Sequence, residues 1–259
     1  MDWYRDTEIP SSAEGPYPVI LFIDTFNRYF EPENLRSAVR VLKNAGYSPF
    51  YPKPKIKSHK ALCCGKTHLA VGNVSKAKDA AERLVDTYLP YAQEEIPIVG
   101  LEPSCLLALK DELPSLLKTK EAKIIAENVV TFEELLSKDK KNLSLKPLPA
   151  KALLHGHCHQ KAFNVLRPVE DVLKMIKGLE VETIETSCCG MAGAFGYSKE
   201  TYEFSKEMGE KDLLPKIREA DDATILIADG TSCRNQIIDG TNRKALHVAQ
   251  FLDQQLIED

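Results

Sequence analysis

Short apolar runs alternate along the chain with longer segments in which apolar residues recur every three to four positions. The first pattern is typical of buried strands, and the second is typical of helices that pack on one face. Strands are predicted at residues 18–23, 47–51, 96–100, 152–154, 179–184 and 224–228. Helices are predicted at residues 34–44, 74–92, 169–177 and 199–217, and Pro215 is expected to end or bend the last one early. Residues 128–136 and 245–252 each predict a short strand followed by a helix.

The order of these elements repeats, and the seven cysteines mark the repeat. They form two adjacent pairs, each followed by glycine, and three singles: Cys63-Cys64, Cys188-Cys189, Cys105, Cys158 and Cys233. The pairs lie 125 positions apart, and the single cysteines that follow them lie 128 apart. Because strands that alternate with helices form parallel sheets, the sequence predicts an α/β fold of two tandem parallel-sheet units. A pseudo-two-fold axis is expected to relate the units, with helices on both faces of each sheet.

The same patterns suggest where the repeats begin and end. Residues 17–146 form the first predicted repeat, and residues 147–259 form the second. Residues 1–16 show neither strand nor helix periodicity and are expected to be a linker-like segment.

Composition narrows the class of protein. The 259 residues carry 34 basic and 38 acidic side chains, a formal charge of -4, and the basic residues form no block. This distribution argues against a nucleic-acid partner. No apolar stretch approaches the roughly 18 residues that a membrane span needs, and the start of the chain does not resemble a signal peptide. A cytoplasmic protein without a transmembrane segment is expected, with peripheral attachment to a membrane through a partner as an option.

An odd number of cysteines in such a chain indicates bound metal or thiol chemistry rather than disulfides. Cysteines that follow parallel strands can converge, because the carboxyl ends of those strands meet at one edge of the sheet. A multi-iron cluster can take both members of an adjacent pair, whereas one zinc ion is better served by the spacing C-x-x-C. The glycine-containing turns after the pairs are suited to donating backbone N–H groups to sulfur. Zinc, thiol–disulfide exchange and simple burial of cysteine are the alternatives.

Three histidines surround Cys158. On a strand end alternate residues share a face, so the histidines are expected to point one way and Cys158 the other. Each histidine either supports the metal site or hydrogen-bonds the backbone of the turn; the three are His155, His157 and His159. Three basic residues are either cations beside the site or solvated charges: Lys161, Arg234 and Arg243.

Five phrases of the sequence are recognisable: Asp24-Thr25-Phe26-Asn27, Gly100-Leu101-Glu102-Pro103-Ser104-Cys105, His157-Cys158-His159-Gln160-Lys161, Cys188-Cys189-Gly190-Met191-Ala192-Gly193 and Asp229-Gly230-Thr231-Ser232-Cys233-Arg234. With them the chain resembles the cysteine-rich CCG domain, which occurs twice in the cysteine-rich subunit of heterodisulfide reductase. It is most similar to the C-terminal iron–sulfur module of long FAD-linked dehydrogenases of the D-lactate and D-2-hydroxyglutarate type.

The resemblance implies an electron-transfer function. An iron–sulfur cluster, expected to be [4Fe–4S], would relay electrons from a flavin-linked 2-hydroxyacid dehydrogenase to a downstream acceptor. The hydroxyacid would be of the D-lactate, glycolate or D-2-hydroxyglutarate type. The chain has no G-x-G-x-x-G fingerprint, so the FAD is expected on a partner domain or subunit. The chain would then be an oxidoreductase component of that dehydrogenase.

The sequence departs from the full CCG motif, in which a lone cysteine and a pair precede C-x-x-C. Glu102 and Gly230 stand where the first cysteine of that last motif would lie. The second half keeps four thiolates for the main cluster: Cys158, Cys188, Cys189 and Cys233. In the first half Thr25 aligns with Cys158, which leaves an incomplete second site of three thiols: Cys63, Cys64 and Cys105. The accessory candidates are His155, His157, His159, Thr25 and Glu102.

A rival function belongs to another class. The chain could be a zinc-stabilised, non-catalytic docking domain of such a dehydrogenase, in which case it would bind zinc and have no visible chromophore.

Overall fold

The structure is a computed structural model that describes residues 3–54, 61–138 and 143–257. The chain divides into two compact units, Met1–Leu136 and Ser137–Asp259, here called unit 1 and unit 2.

Unit 1 is built on a four-stranded sheet. Its strands are β1 (Pro18–Leu21), β2 (Ser48–Phe50), β3 (Ile98–Gly100) and β4 (Val129–Thr131). All of them are parallel, in the order β2-β1-β3-β4. Its helices are α1 (Thr25–Tyr29), α2 (Pro32–Asn44), α3 (Lys66–Ala70), α4 (Val74–Ala92), α5 (Pro103–Leu106), α6 (Glu112–Leu117), α7 (Lys120–Asn128) and α8 (Phe132–Lys138), with single 3-10 turns at Asp6–Glu8 and Leu107–Leu109.

Unit 2 repeats this plan with three strands. They are β5 (Ala150–Leu154), β6 (Leu179–Thr183) and β7 (Ile225–Ile227), all parallel, in the order β6-β5-β7. A single parallel bridge from Ile227 to Leu246 stands where unit 1 has a fourth strand. The helices are α9 (Cys158–Ala162), α10 (Leu166–Leu173), α11 (Tyr202–Lys211), α12 (Leu213–Glu219), α13 (Thr231–Thr241) and α14 (Val248–Gln254), with a 3-10 turn at Phe195–Tyr197.

The α/β class predicted from the sequence is confirmed. Where helices cover both faces of a parallel sheet, its strands are apolar. The edge strand β6 is an exception, because Glu180 and Glu182 are exposed. In β1 the residues Val19, Ile20 and Leu21 are all buried. The helices carry one apolar face each, as in α2, where Leu35 and Leu42 are fully buried. The N-terminal segment also contributes to unit 1, because Tyr4 and Ile9 are buried.

The helix predicted at residues 199–217 is two helices. The chain breaks at Asp212, between α11 and α12, rather than at Pro215. Pro215 lies in the first turn of α12, where a proline is tolerated because the N–H groups of that turn have no partner within the helix. The prediction of a break was therefore correct in kind, but the break falls three residues earlier.

Among the residues that the structure describes, no helix combines the length and the apolar character needed to cross a bilayer.

Candidate metal centre

The sheet of unit 2 brings four cysteines to the carboxyl edge of its strands. Cys158 is the first residue of α9, which follows β5 after three residues. The pair Cys188-Cys189 lies in the loop after β6. Cys233 lies in the first turn of α13, just beyond β7. Because β6, β5 and β7 are neighbours in one parallel sheet, their following loops lie side by side.

The four thiols form a continuous chain of contacts. Neighbouring thiols lie close enough to shift each other's pKa values: Cys158 with Cys188, Cys188 with Cys189, and Cys189 with Cys233. When one proton lies between two neighbouring thiols, one thiol keeps it and the other is stabilised as the thiolate. The pKa of the first is therefore raised, and the pKa of the second is lowered. A hydrogen bond from Cys158 lowers the pKa of Cys188, and one from Cys189 lowers the pKa of Cys233. The pKa values of Cys158 and Cys189 are raised, first by their contacts with Cys188 and then by burial.

This donor set fits a bound metal or iron–sulfur cluster. Four neighbouring sulfurs repel each other when all are ionised, so only a cation among them allows all four to be thiolates. The sulfurs extend from the surface to the core, since Cys158 is exposed, Cys188 is partly buried, and Cys189 and Cys233 are buried. The set can therefore hold a charged centre in the protein and still reach solvent at one end.

Histidines complete two tight groups of potential ligand atoms. In one group, a ring nitrogen of His155 and the Sγ atoms of Cys189 and Cys233 all lie within 4.8 Å of one another. In the other, the ligand atoms of His157, Cys158 and His159 satisfy the same limit.

The expected orientation of these histidines is wrong. The strand ends at Leu154 and a helix begins at Cys158, so strand alternation does not apply to residues 157–159. His157 caps this helix, and its Nδ1 accepts the backbone N–H of His159 at 3.1 Å. The turn brings the Nδ1 of His159 to 3.5 Å from the Sγ of Cys158, on the same side.

The same structural requirement explains why glycine follows the cysteine pair in both units. Gly65 and Gly190 have left-handed backbones, with φ of 79° and 94°. A Cβ atom at Gly190 would lie 2.1 Å from the carbonyl oxygen of Ser205, and one at Gly65 would lie 3.0 Å from that of Ala77. Each glycine therefore lets the loop pack directly on the backbone of the following long helix.

These glycines also donate to sulfur, as expected from the turns that follow the pairs. The N–H of Gly190 lies 3.4 Å from the Sγ of Cys188, and the N–H of Gly65 lies 3.5 Å from the Sγ of Cys63. Backbone donors of this kind stabilise the thiolate form and tune metal–sulfur sites.

Unit 1 brings together three thiols and a hydroxyl. Hydrogen bonds connect Cys63 to Cys64 and Cys64 to Cys105, and the Oγ1 of Thr25 lies 3.8 Å from the Sγ of Cys63. Contact with Cys64 and burial raise the pKa of Cys63, and contact with Cys105 and burial raise that of Cys64. For Cys105 a hydrogen bond from Cys64 lowers the pKa, but burial and nearby carboxylates outweigh it. The three thiols are held in the neutral form.

Two buried carboxylates lie beside the thiols of unit 1. Glu102 caps α5 and accepts hydrogen bonds from the N–H and hydroxyl of Ser104. Asp24 caps α1 in the same way as His157 caps α9. Burial and repulsion from Glu102 raise the pKa of Asp24 to about 6. Glu102 thus contributes negative charge next to the incomplete site.

The three basic residues considered from the sequence have different positions. Lys161 is near the cysteines of unit 2, where its Nζ contacts the hydroxyl of Thr186 and the carbonyl oxygen of Ser187, both at 3.2 Å. Arg234 is buried and donates to the carbonyl oxygen of Ala228 at 2.7 Å. Arg243 is not at the site, because its guanidinium binds backbone carbonyls of residues 217–224.

A buried network that sequence reasoning missed ties these loops together. Asp229 is 1% exposed and lies two residues after the end of β7. One of its carboxylate oxygens accepts the Nε2 of Gln160 at 2.8 Å, and the other accepts the N–H of Val248 at 3.1 Å. Gln160 in turn accepts the N–H of His157 at 3.0 Å. The only signal in the sequence is a polar residue at the end of a buried strand.

Fold and site together define a tandem α/β protein with a metal- or iron–sulfur-binding thiol site at the carboxyl edge of a parallel sheet. The family model of the CCG cysteine-rich domain matches the chain twice, at residues 25–110 and 152–238. The chain belongs to this family.

Curated relatives match over most of the chain. One subunit of the anaerobic glycerol-3-phosphate dehydrogenase of Escherichia coli is 29% identical over 98% of this chain and 63% of its own length. Lactate utilization protein A 1 of Bacillus mycoides is 28% identical over 91% of this chain and 96% of its own length. The D-2-hydroxyglutarate dehydrogenase of Haemophilus influenzae is 25% identical over 84% of this chain but only 21% of its own length. The chain thus spans less than two thirds of the first and third of these relatives.

A solved structure supports the fold. The crystal structure of a hypothetical protein from Helicobacter pylori aligns with this chain at a TM-score of 0.58 and 14% sequence identity. The alignment covers 96% of this chain and 51% of the Helicobacter pylori chain. At this identity the likeness concerns the fold alone.

Proposed function

We propose that this chain is an iron–sulfur electron-transfer module. It passes electrons from a flavin-linked dehydrogenase, of the D-lactate, glycolate or D-2-hydroxyglutarate type, to a downstream acceptor. The observation that carries this proposal is the convergence of four thiols from three neighbouring loops: Cys158, Cys188, Cys189 and Cys233.

The donor set favours a [4Fe–4S] cluster, which supplies one-electron transfer when bound. Four cysteines are the usual ligand number for such a cluster, and adjacent thiolates can bind different irons. The protein contributes the rest of the site. The Gly190 N–H donates to Cys188, and the ammonium group of Lys161 lies near the thiols and offsets part of their charge. The exposed Cys158 marks the side from which electrons exchange with a partner.

The printed names of the relatives support the dehydrogenase partner. One is a dehydrogenase subunit, one is a whole dehydrogenase of which this chain matches about a fifth, and one is named for lactate utilization. All three names refer to small anions that carry a hydroxyl group. The chain has no dinucleotide fingerprint, so the FAD would lie on a separate subunit or an upstream domain.

One observation favours the second candidate, a zinc-stabilised docking domain of the same dehydrogenase. The ligand atoms of His155, Cys189 and Cys233 are close enough together to suit a single tetrahedral zinc ion. Cys158 and Cys188 would then have no ligand role, although they belong to the same chain of thiols. The cluster uses all four thiols and is therefore preferred.

The deciding experiment is a metal and redox analysis of the full chain purified without oxygen. Iron, sulfide and zinc are measured together with the visible and electron paramagnetic resonance spectra. We expect about four irons and four sulfides per chain, as one [4Fe–4S] cluster requires. Addition of photoreduced FMN, as a soluble flavin donor, should bleach the visible band and produce the resonance signal of a reduced cluster.

Two results would overturn the proposal. Stoichiometric zinc with no iron bound, even after reconstitution with iron and sulfide, would leave the docking domain as the better function. A cluster that assembles but accepts no electron from reduced FMN or from dithionite would exclude an electron-transfer role.

A further inference from the structure

His155 is a buried histidine with one ring nitrogen that lacks a hydrogen-bond partner of normal geometry among the described residues. It is 2% exposed, and it directly follows β5. Its Nε2 is buried and has no partner at normal hydrogen-bond distance and angle among these residues, although the ring is near enough to Cys233 to lower the pKa of that thiol. Its ring lies in the tight group with the Sγ atoms of Cys189 and Cys233. A buried imidazole nitrogen without a partner is costly unless a bound group satisfies it.

The other ring nitrogen of His155 is within hydrogen-bond distance of a threonine hydroxyl. Its Nδ1 lies 3.3 Å from the hydroxyl of Thr186, a residue of the loop that leads to the cysteine pair. The same hydroxyl lies 3.2 Å from the Nζ of Lys161. That Nζ also contacts the carbonyl oxygens of Thr186 and Ser187. The three acceptors match the three N–H donors of an ammonium group.

These contacts fix the direction of the hydrogen bond from Lys161, and they allow the one that gives His155 a donor for sulfur. Lys161 can only donate, so the oxygen of the Thr186 hydroxyl accepts from it. The proton of that hydroxyl can then be donated to the Nδ1 of His155, 3.3 Å away. A neutral imidazole that accepts at Nδ1 carries its proton at Nε2. In this tautomer the Nε2–H of His155 is a donor for the sulfurs.

We propose that Lys161, Thr186 and His155 form a hydrogen-bonded relay that directs the Nε2–H of His155 at the thiolates of Cys189 and Cys233. The relay raises the reduction potential of the iron–sulfur site. This inference rests on the function proposed above. With a cluster bound, reduction by one electron would increase the negative charge on the thiolates, and no bond to the histidine would form. The Nε2–H of His155 and the ammonium group of Lys161 would stabilise that charge and so favour reduction.

The relay is particular to unit 2. His155 and Phe22 occupy the same place in the fold, because their N–H groups donate to Ile227 and Val99 at 2.9 and 2.7 Å respectively. Arg28, at the position that corresponds to Lys161, is paired with Asp6 instead. The side chain of Phe22 has no N–H group that could donate to sulfur. Unit 1 therefore repeats the backbone at these positions without the donor.

The experiment compares Thr186→Val with Thr186→Ser in the full chain, purified without oxygen. Valine has the shape of threonine without the hydroxyl, and serine keeps the hydroxyl. Iron content and reduction potential are measured for both variants and for the wild type. Thr186→Val should keep its iron but shift the ratio of reduced to oxidised cluster about tenfold toward the oxidised form, which is about 59 mV for one electron. Thr186→Ser should behave like the wild type.

A second measurement tests the donor itself. Electron–nuclear double resonance of the reduced wild type, labelled with 15N-histidine, should show an exchangeable proton and a weakly coupled nitrogen. The contribution of His155 to both signals should be lost in His155→Phe, while any contribution from His157 and His159, which lie beside Cys158, should stay. If His155→Phe fails to fold, the potentials of Thr186→Val and Thr186→Ser and the spectrum of the wild type still test the relay.

The outcomes separate the relay from the proposed function. A wild-type chain that binds no iron overturns both. A wild-type chain with a cluster, together with equal potentials for Thr186→Val and Thr186→Ser, overturns the relay alone. A strongly coupled nitrogen that is lost in His155→Phe would also overturn it, because His155 would then be an iron ligand and not a hydrogen-bond donor.

Discussion

The two units place different chemistry on the same backbone. In each unit the first strand leads into a five-residue helix whose capping residue is buried, Asp24 in unit 1 and His157 in unit 2. In each, a cysteine pair precedes a left-handed glycine that packs against the next long helix. The single cysteines Cys105 and Cys233 both lie in the first turn of the helix after the third strand of their unit. The scaffold that gathers thiols is therefore present twice.

The side chains around the thiols are acidic in unit 1 and basic in unit 2. Unit 1 has the carboxyl groups of Asp24 and Glu102, and the nearby basic residue Arg28 is bound to Asp6. Unit 2 has histidines in these surroundings and the ammonium group of Lys161. Carboxylates oppose the ionisation of neighbouring thiols, whereas N–H donors and a cation favour it.

The comparison teaches that a cysteine count is a poor guide to a metal site when the neighbours differ. Unit 1 lacks one thiol of the four, since Thr25 replaces it, and its remaining thiols are held neutral by contact and burial. Unit 2 has all four thiols, with two of the pKa values lowered. We therefore expect the two units to respond very differently to matched substitutions.

The largest difference should appear when the second cysteine of each pair is changed. Cys189→Ser removes a buried thiol that touches two others, so we expect loss of essentially all bound iron. Cys64→Ser changes the corresponding thiol of unit 1 and should leave the iron content of unit 2 in place. Iron and sulfide analysis measures the effect, with far-ultraviolet circular dichroism as the control for folding. Equal iron loss in the two variants would contradict the dominance of unit 2.

The next largest difference should appear at the glycines that follow the pairs. Gly190→Ala adds a left-handed alanine and a Cβ 2.1 Å from a backbone oxygen, so we expect a loss of about 3 to 5 kcal/mol in the free energy of unfolding. Gly65→Ala meets its neighbour at 3.0 Å, and its loss should be nearer to about 2 kcal/mol. Chemical denaturation followed by circular dichroism measures both.

Gly193→Ala separates backbone strain from steric contact in this series. Gly193 has a φ of 67°, and no atom of the part of the chain that the structure describes lies within 4 Å of its added Cβ. Its replacement should cost only the left-handed conformation, about 1 to 2 kcal/mol. A loss at Gly193→Ala as large as that at Gly190→Ala would show that contact with Ser205 is not the cause.

The smallest expected effect is a gain of function in unit 1. Thr25→Cys, made together with Cys189→Ser, supplies unit 1 with a fourth thiol next to Cys63. We expect partial recovery of bound iron after anaerobic reconstitution, below one cluster per chain, because the carboxyl groups of Asp24 and Glu102 remain. Thr25→Ser with Cys189→Ser is the matched control and should bind no more iron than Cys189→Ser alone. No gain from the cysteine would mean that the carboxylates alone prevent a cluster in unit 1.

Much of the fold follows from local patterns in the sequence. The predicted strands at 179–184 and 224–228 are observed as β6 and β7, and the helix predicted at 74–92 is α4, Val74–Ala92. These elements have strong periodicity and clear ends. A break near Pro215 was predicted, but its position at Asp212 was not. The short helices α1 and α9 were not predicted, because five-residue helices carry too few apolar positions to show a period.

The sequence by itself determined the α/β class, the duplication and the set of cysteines that can meet, because apolar periodicity and residue identity are local properties. Only the tertiary structure decided how those residues act. It placed His157 in a helix cap, put His155 between a threonine hydroxyl and two thiols, and removed Arg243 from the site. It also showed that Gly190 is needed for contact with Ser205, fifteen residues further on. Side-chain direction and charge balance depend on neighbours that are distant in the chain, and only the packed sheet brings those neighbours together.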